Sequence, residues 1–217
     1  MIPIVPAIIP TSLEYLRQTI PELRFSSELH LDVVDGEFVP YVSWPYEPVG
    51  DPQDIRDLTD SFTLEVDLMV AKPLPAAKEW LAAGADMLVF HVETISSEDF
   101  KNFVETTKCT VSISANNDTS FETLAEYLPY ADGVQLMGIA AIGAQGQGFD
   151  ERVLERIVHT KNRFPQLPIT IDGSVNGETI VRLVAARANR LICGSAVVKA
   201  EDPALAHFQL ARKISDN

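Results

Sequence analysis

The chain has 217 residues, 46 % of them apolar and 22 % charged, with a formal net charge of −14. That length suits one large domain or two small ones, and the acidity argues against nucleic-acid partners and anionic membrane surfaces. No run of about 18 apolar residues predicts a membrane span. The N-terminal MIPIVPAIIP lacks a basic flank, so it reads as a strand and not as a signal peptide. Cys109 and Cys193 are far apart and suggest no disulfide framework, which predicts a reducing, cytoplasmic setting. An anionic small molecule is not excluded, because backbone amides at helix N-termini hold phosphate without any positive side chain.

In chain order, residues 2–9 read as a strand and 12–23 as a helix capped by Thr11 or Ser12. The second strand, 29–34, begins the stretch LHLDVVDGEFVP. Leu29, Leu31 and Val33 alternate with His30, Asp32 and Val34, so one face is apolar and the other carries a histidine and an aspartate. A long loop, 35–50, opens with an Asp35-Gly36 turn and precedes a short helix at 51–58. Strand 63–70 and helix 74–83 follow, then strand 87–93 and helix 97–106, then strand 111–115 and a helix near 121–128. Strand 133–137 leads into a Gly- and Ala-rich loop, 138–148, and helix 150–163. Strand 169–172, helix 177–186, strand 190–193 and a last helix at about 202–214 complete the chain.

Strands alternating with helices predict a parallel sheet, and eight such units in slightly over 200 residues predict a single (β/α)8 barrel spanning the chain, α/β in class. An open doubly wound sheet is the competing fold. It carries a glycine fingerprint after its first strand, where this chain has Ile9-Pro10-Thr11.

Barrels build their sites from the C-terminal ends of the strands. Those ends carry His30 and Asp32, then Asp67, then His91 and Glu93, and finally Asp172. Asp67 shares a strand face with Glu65 and Met69. Three aspartates and a histidine aimed at one axis repel one another unless something offsets the charge. A divalent cation does so most simply; this donor set suits Zn²⁺, Mn²⁺, Fe²⁺ or Mg²⁺, and its carboxylates favour the harder ions. The competing reading keeps one or two carboxylates protonated or paired with Lys or Arg. A second constellation is a phosphate cradle: Gly146 and Gln147 in the GAQGQG loop, Gly173 and Ser174 after the seventh strand, and Gly194 and Ser195 opening a helix after the eighth. Turns need glycine anyway, so it is the three loops together, at successive strand ends, that carry the signal.

These residues resemble the ribulose-phosphate 3-epimerases over nearly the whole chain. The resemblance runs through LHLDVVDGEFVP, the LMV of the third strand, FHVE at Phe90–Glu93, Leu136-Met137, GQGF, IDGSVN and GSAV followed by EDP. It implies interconversion of D-ribulose 5-phosphate and D-xylulose 5-phosphate, with a small phosphorylated sugar as partner. It also implies a divalent metal held by His30, Asp32, Asp172 and the third-strand position. The acid/base pair it implies falls on Asp32 and Asp172.

The sequence departs from that pattern at its top face. The third-strand ligand is Asp67 instead of histidine, and a substrate-side serine is Ala7. Val34 stands for methionine, Asn116-Asn117 for Asn-Pro, and the loop after the sixth strand lacks its Pro-Gly pair and is one residue longer. Three readings stay open: the 3-epimerase, an epimerase or isomerase of another phosphosugar such as a hexulose phosphate, and a non-catalytic phosphosugar-binding relative. A decarboxylase or aldol chemistry needs a lysine near the carboxylates, and Lys72 lies beyond the strand end. His91 and Glu93 read as a satisfied core pair or as groups orienting the metal ligands. Tyr41 and Trp44 read as a substrate cover or a subunit contact, and symmetric self-association stays open.

Overall fold

The computed structural model describes residues 2–216. Eight parallel strands close on themselves in sequence order. They are β1 (Ile4–Ile8), β2 (Glu28–Val34), β3 (Thr63–Met69), β4 (Met87–His91), β5 (Thr110–Ala115), β6 (Gly133–Met137), β7 (Ile169–Asp172) and β8 (Arg190–Cys193). The helices are α1 (Leu13–Thr19), α2 (Arg56–Thr59), α3 (Pro73–Ala82), α4 (Ser97–Thr106), α5 (Phe121–Ala125), α6 (Arg152–Arg163), α7 (Ile180–Ala185), α8 (Ser195–Val198) and α9 (Pro203–Ser215). The expected (β/α)8 barrel is therefore the observed one. Among the described residues no helix is long and apolar enough to cross a membrane.

Boundaries shift where local chemistry overrides pattern. The helix expected over 12–23 breaks into α1 and a 3-10 turn at Ile20–Leu23, because Pro21 has no N–H to continue the ladder. Ser12, not Thr11, is its cap, accepting from the Tyr15 amide at 3.0 Å. The segment expected as one helix at 51–58 is a 3-10 turn, Pro52–Ile55, followed by α2. β4 ends at His91, two residues earlier than expected, and leaves Glu93 in a turn.

The apolar strand residues Leu29, Leu31, Leu64, Val66, Leu88 and Phe90 pack outward against the helices in one large cluster with Trp80 and Phe100. The opposite face lines the barrel interior. Register carries that face from strand to strand: Ala7 beside His30, His30 beside Glu65, Asp32 beside Asp67, Ser114 beside both His91 and Gln135, and Met137 beside Asp172. The interior is thus polar, and its groups must find partners there. A small cluster of Val34, Val39, Met69, Met137, Ile139 and Ile142 closes the top.

The 35–50 loop is organised by its first residue. Asp35 accepts from the Glu37 and Phe38 amides with one oxygen and from the Ala71 amide with the other, which ties it to the end of β3. Trp44 is 1 % exposed and meets Trp80 edge-on at 6.2 Å. It is a core residue, which corrects the expectation of a cover or subunit contact; Tyr41 is 47 % exposed.

Candidate active site

The mouth of the barrel holds a cavity of about 210 Å³, below the size usual for drug-like ligands and suited to one small molecule. Asp32 and Asp172 both line it, from β2 and β7. Around them stand Ala7, Met69 and Ile192. The glycine turns that the sequence singled out also line it: Gly146 and Gln147, Gly173 and Ser174, and Gly194 and Ser195. Gly173 sits at φ +91, and a Cβ there would come within 2.7 Å of Ile139. Only glycine lets the chain turn so closely against the β6 loop. Among the described residues, the lining includes no lysine, arginine or histidine.

Beneath the cavity lies a buried network. His30 Nε2 is 3.0 Å from Asp32 Oδ1, and His30 Nδ1 is 2.6 Å from Glu65 Oε1. Arg190, at the start of β8, donates to that same Glu65 oxygen at 2.7 Å and to Glu28 at 2.9 Å. Asp67 accepts from His91 Nε2 at 2.8 Å and from Gln135 Nε2 at 2.6 Å, one oxygen each. Phe38 covers His91 at 5.4 Å between rings. Glu93 stands at the edge of this network: one oxygen lies 4.0 Å from His91 Nδ1, and the other accepts from the Asn116 amide and Thr119 hydroxyl and shapes the loop after β5. Arg190 thus pairs with Glu65, an acid other than the three aspartates for which the sequence leaves pairing with Lys or Arg open.

Electrostatics follow from this geometry. Burial pushes the Asp172 carboxyl well above the usual carboxylate range, and the nearby Asp32 charge pushes it further. Burial also raises Asp32, against the lowering effect of His30. Burial alone would lower His30, but Asp32 and Glu65 outweigh it and hold the imidazole well above its usual value. Burial would raise Glu65 too; His30 and Arg190 instead bring it down to about 2.

His30, Asp32 and Asp67 each offer a ligand atom, and the three atoms lie within 4.8 Å of one another. Asp172 stands outside that group and lines the cavity beside it. The donor set fits a divalent cation. One imidazole nitrogen is anchored by Glu65, which leaves Nε2 for a metal, and the two carboxylates need positive charge near them. His91, Gln135 and Arg190 are the supporting residues that sequence reasoning left unassigned or undecided.

Compared with known proteins, residues 3–198 match the family model described as the ribulose-phosphate 3 epimerase family. The chain belongs to that family. A ribulose-phosphate 3-epimerase from Chlamydia pneumoniae is 31 % identical over 189 residues, covering 83 % of this chain and 80 % of its own. One from Mycobacterium bovis is 28 % identical over 217 residues, covering 97 % and 92 %. Among solved structures, 3-hexulose-6-phosphate synthase from Salmonella typhimurium superposes with a TM-score of 0.74 at 13 % identity over 100 % of this chain and 99 % of that one. The 3-keto-L-gulonate-6-phosphate decarboxylase from Vibrio cholerae superposes with a TM-score of 0.72 at 14 % identity, with the same coverage. These last two share the barrel fold. In this chain Asp67 joins His30 and Asp32 in a group of three that could hold a metal ion.

Proposed function

We propose that the protein is a metal-dependent ketose-phosphate 3-epimerase that interconverts D-ribulose 5-phosphate and D-xylulose 5-phosphate. The observation that carries this reading is that Asp32 and Asp172, from strands far apart in the barrel order, open on one cavity beside the glycine turns. Inversion at C3 needs one group to take the proton from one face and another to return a proton to the opposite face. Asp32 and Asp172 fill those two roles and exchange them in the reverse direction. His30 Nε2 and Asp32 Oδ1, 3.0 Å apart, would together hold the cation, which would fix where that carboxylate points.

Removing a proton beside a ketone leaves negative charge on the oxygens, which must be stabilised. A cation held by His30, Asp32 and Asp67 would supply the positive charge for that purpose. The Gly173-Ser174 and Gly194-Ser195 turns, with Gly146 and Gln147, supply neutral N–H groups for the phosphate end. An all-neutral cradle suits a cavity whose charged lining residues are carboxylates.

The test is exchange of the C3 proton of ribulose 5-phosphate in heavy water, followed for the native enzyme and for Asp172→Asn. Turnover should fall by about 10³-fold or more in the variant. Near-normal epimerisation by it would reject the assignment, while slow C3 exchange by the native protein already removes a purely binding role. One observation favours a second reading: Ala7 lines the cavity with a methyl group where the family resemblance implies a hydroxyl. A panel of ketose phosphates that includes hexulose phosphates separates the two, and a clear preference for the pentulose removes the second.

A further inference from the structure

We propose that Gln145 is a specificity-determining residue that reads the phosphoryl group through its side-chain amide. This rests on the phosphosugar reading above. The side chain lies across the cavity wall between β1 and β8. Its Nε2 donates to the Ala7 carbonyl at 3.3 Å, and a Cβ built on Gly194 would stand 2.6 Å from the same nitrogen. Gly194 has φ −80, outside the left-handed region. Glycine at 194 therefore leaves free the space that the Gln145 amide occupies.

Two considerations make this amide the group that meets an anion. First, with no cationic side chain in the lining, an anion must be held by neutral donors. Second, the other amide side chains of the lining are committed elsewhere. Gln147 Nε2 donates to the Ala141 and Ala144 carbonyls of its own loop. Asn176 donates to the Ser174 carbonyl and accepts from the Glu178 and Thr179 amides. Gln145 makes one long bond among the described residues. Exchanging that bond for a charge-assisted one to a phosphoryl oxygen seated against Gly194 is favourable, because bonds to ions are shorter and about twice as strong. The amide then turns from Ala7 to the ligand.

The test compares the native enzyme with Gln145→Ala, Gln145→Glu and Gln145→Met, using inorganic phosphate as the probe in calorimetric titration and ribulose 5-phosphate in turnover. For Gln145→Ala, the phosphate Kd and the substrate KM should both rise about tenfold, with kcat within about threefold, the signature of lost uniform binding. Gln145→Glu keeps the shape that packs over Gly194 but turns a donor toward an acceptor, so it should weaken phosphate at least as much. A purely packing role would leave Gln145→Met, which fills the same space without a donor or a charge, binding phosphate like the native enzyme. The inference is overturned by that result, by Gln145→Ala and Gln145→Glu both binding phosphate as the native enzyme does, or by a kcat that falls while KM stays. A native protein that neither binds phosphate nor exchanges the C3 proton ends the phosphosugar reading and this inference together. A native protein that does both, with unaltered variants, ends this inference alone.

Discussion

His30 Nδ1 and Glu65 Oε1 lie 2.6 Å apart in the floor of the barrel, and the same oxygen receives Arg190 Nη1 at 2.7 Å. Glu65 thereby fixes the hydrogen on Nδ1 and leaves Nε2 to face Asp32 and any bound cation. Glu65→Gln should lower affinity for Mn²⁺ or Zn²⁺ by about 10–100-fold. Competition against a coloured chelator measures this on the protein without substrate. Unchanged affinity in a folded variant would remove Glu65 from the support of the site.

Asp67 has both oxygens occupied, by His91 at 2.8 Å and by Gln135 at 2.6 Å. Asp67→His, which brings in the residue that the family resemblance implies at this position, leaves the Gln135 amide without its carboxylate. We expect a loss of about 1–3 kcal/mol in folding stability, together with a shift of metal preference from Mg²⁺ or Mn²⁺ toward Zn²⁺. Denaturant unfolding and metal competition read the two effects separately. A stable variant with unaltered preference would show that Gln135 and the ligand type matter little here.

The barrel and the upper half of the site were legible because both are written in local pattern. Period-two alternation in LHLDVVDG put His30 and Asp32 on one face, and the strand ends gave Asp67 and Asp172. What supports them was not legible. Arg190 reaches Glu65 across 125 positions of sequence, and Gln135 reaches Asp67 across 68. No local periodicity encodes such pairs; they arise only once the barrel closes. Glu65 did leave a trace, as a second acid on the inward face of an apolar strand. Trp44 misled for the opposite reason: an aromatic in a long loop reads as surface, yet here the loop folds back to bury it against Trp80.

That burial has a consequence for Gly50. A Cβ at this position would fall 2.0 Å from Trp44 Nε1 and 2.7 Å from its Cε2, so even alanine forces the indole or the backbone to move. Gly50→Ala should cost about 1–3 kcal/mol by overpacking, and Trp44→Ala about 3–5 kcal/mol by leaving a cavity beside Trp80. Chemical unfolding should show both losses, with the double variant costing less than the sum because the small side chain enters the space left by the indole. Strict additivity would mean that the two residues do not meet.

Asp150 gives a pH test at the top of the barrel, away from the metal donors. Its carboxylate accepts from Arg152 Nε and Nη2 and from Asn117 Nδ2, and Asn117 also donates to the Met137 and Ile139 carbonyls. The pair thus anchors the start of the 138–148 loop. The hydrogen bond from Arg152 is the main cause that brings the Asp150 carboxyl down to about 2, below its usual 3.8. A carboxyl lowered by folding adds stability that is complete above its ordinary value and is lost as pH falls through the lowered one. Since Arg152 is half exposed, solvent screening leaves about 1 kcal/mol of this contribution. Asp150→Asn should therefore be less stable than the native chain at pH 6, and the gap should narrow between pH 4 and about pH 2. Salt near 1 M should shrink it as well. Urea unfolding across that range reads the gap directly; a gap that stays constant down to the lowest pH would show that the anchor is not held by charge.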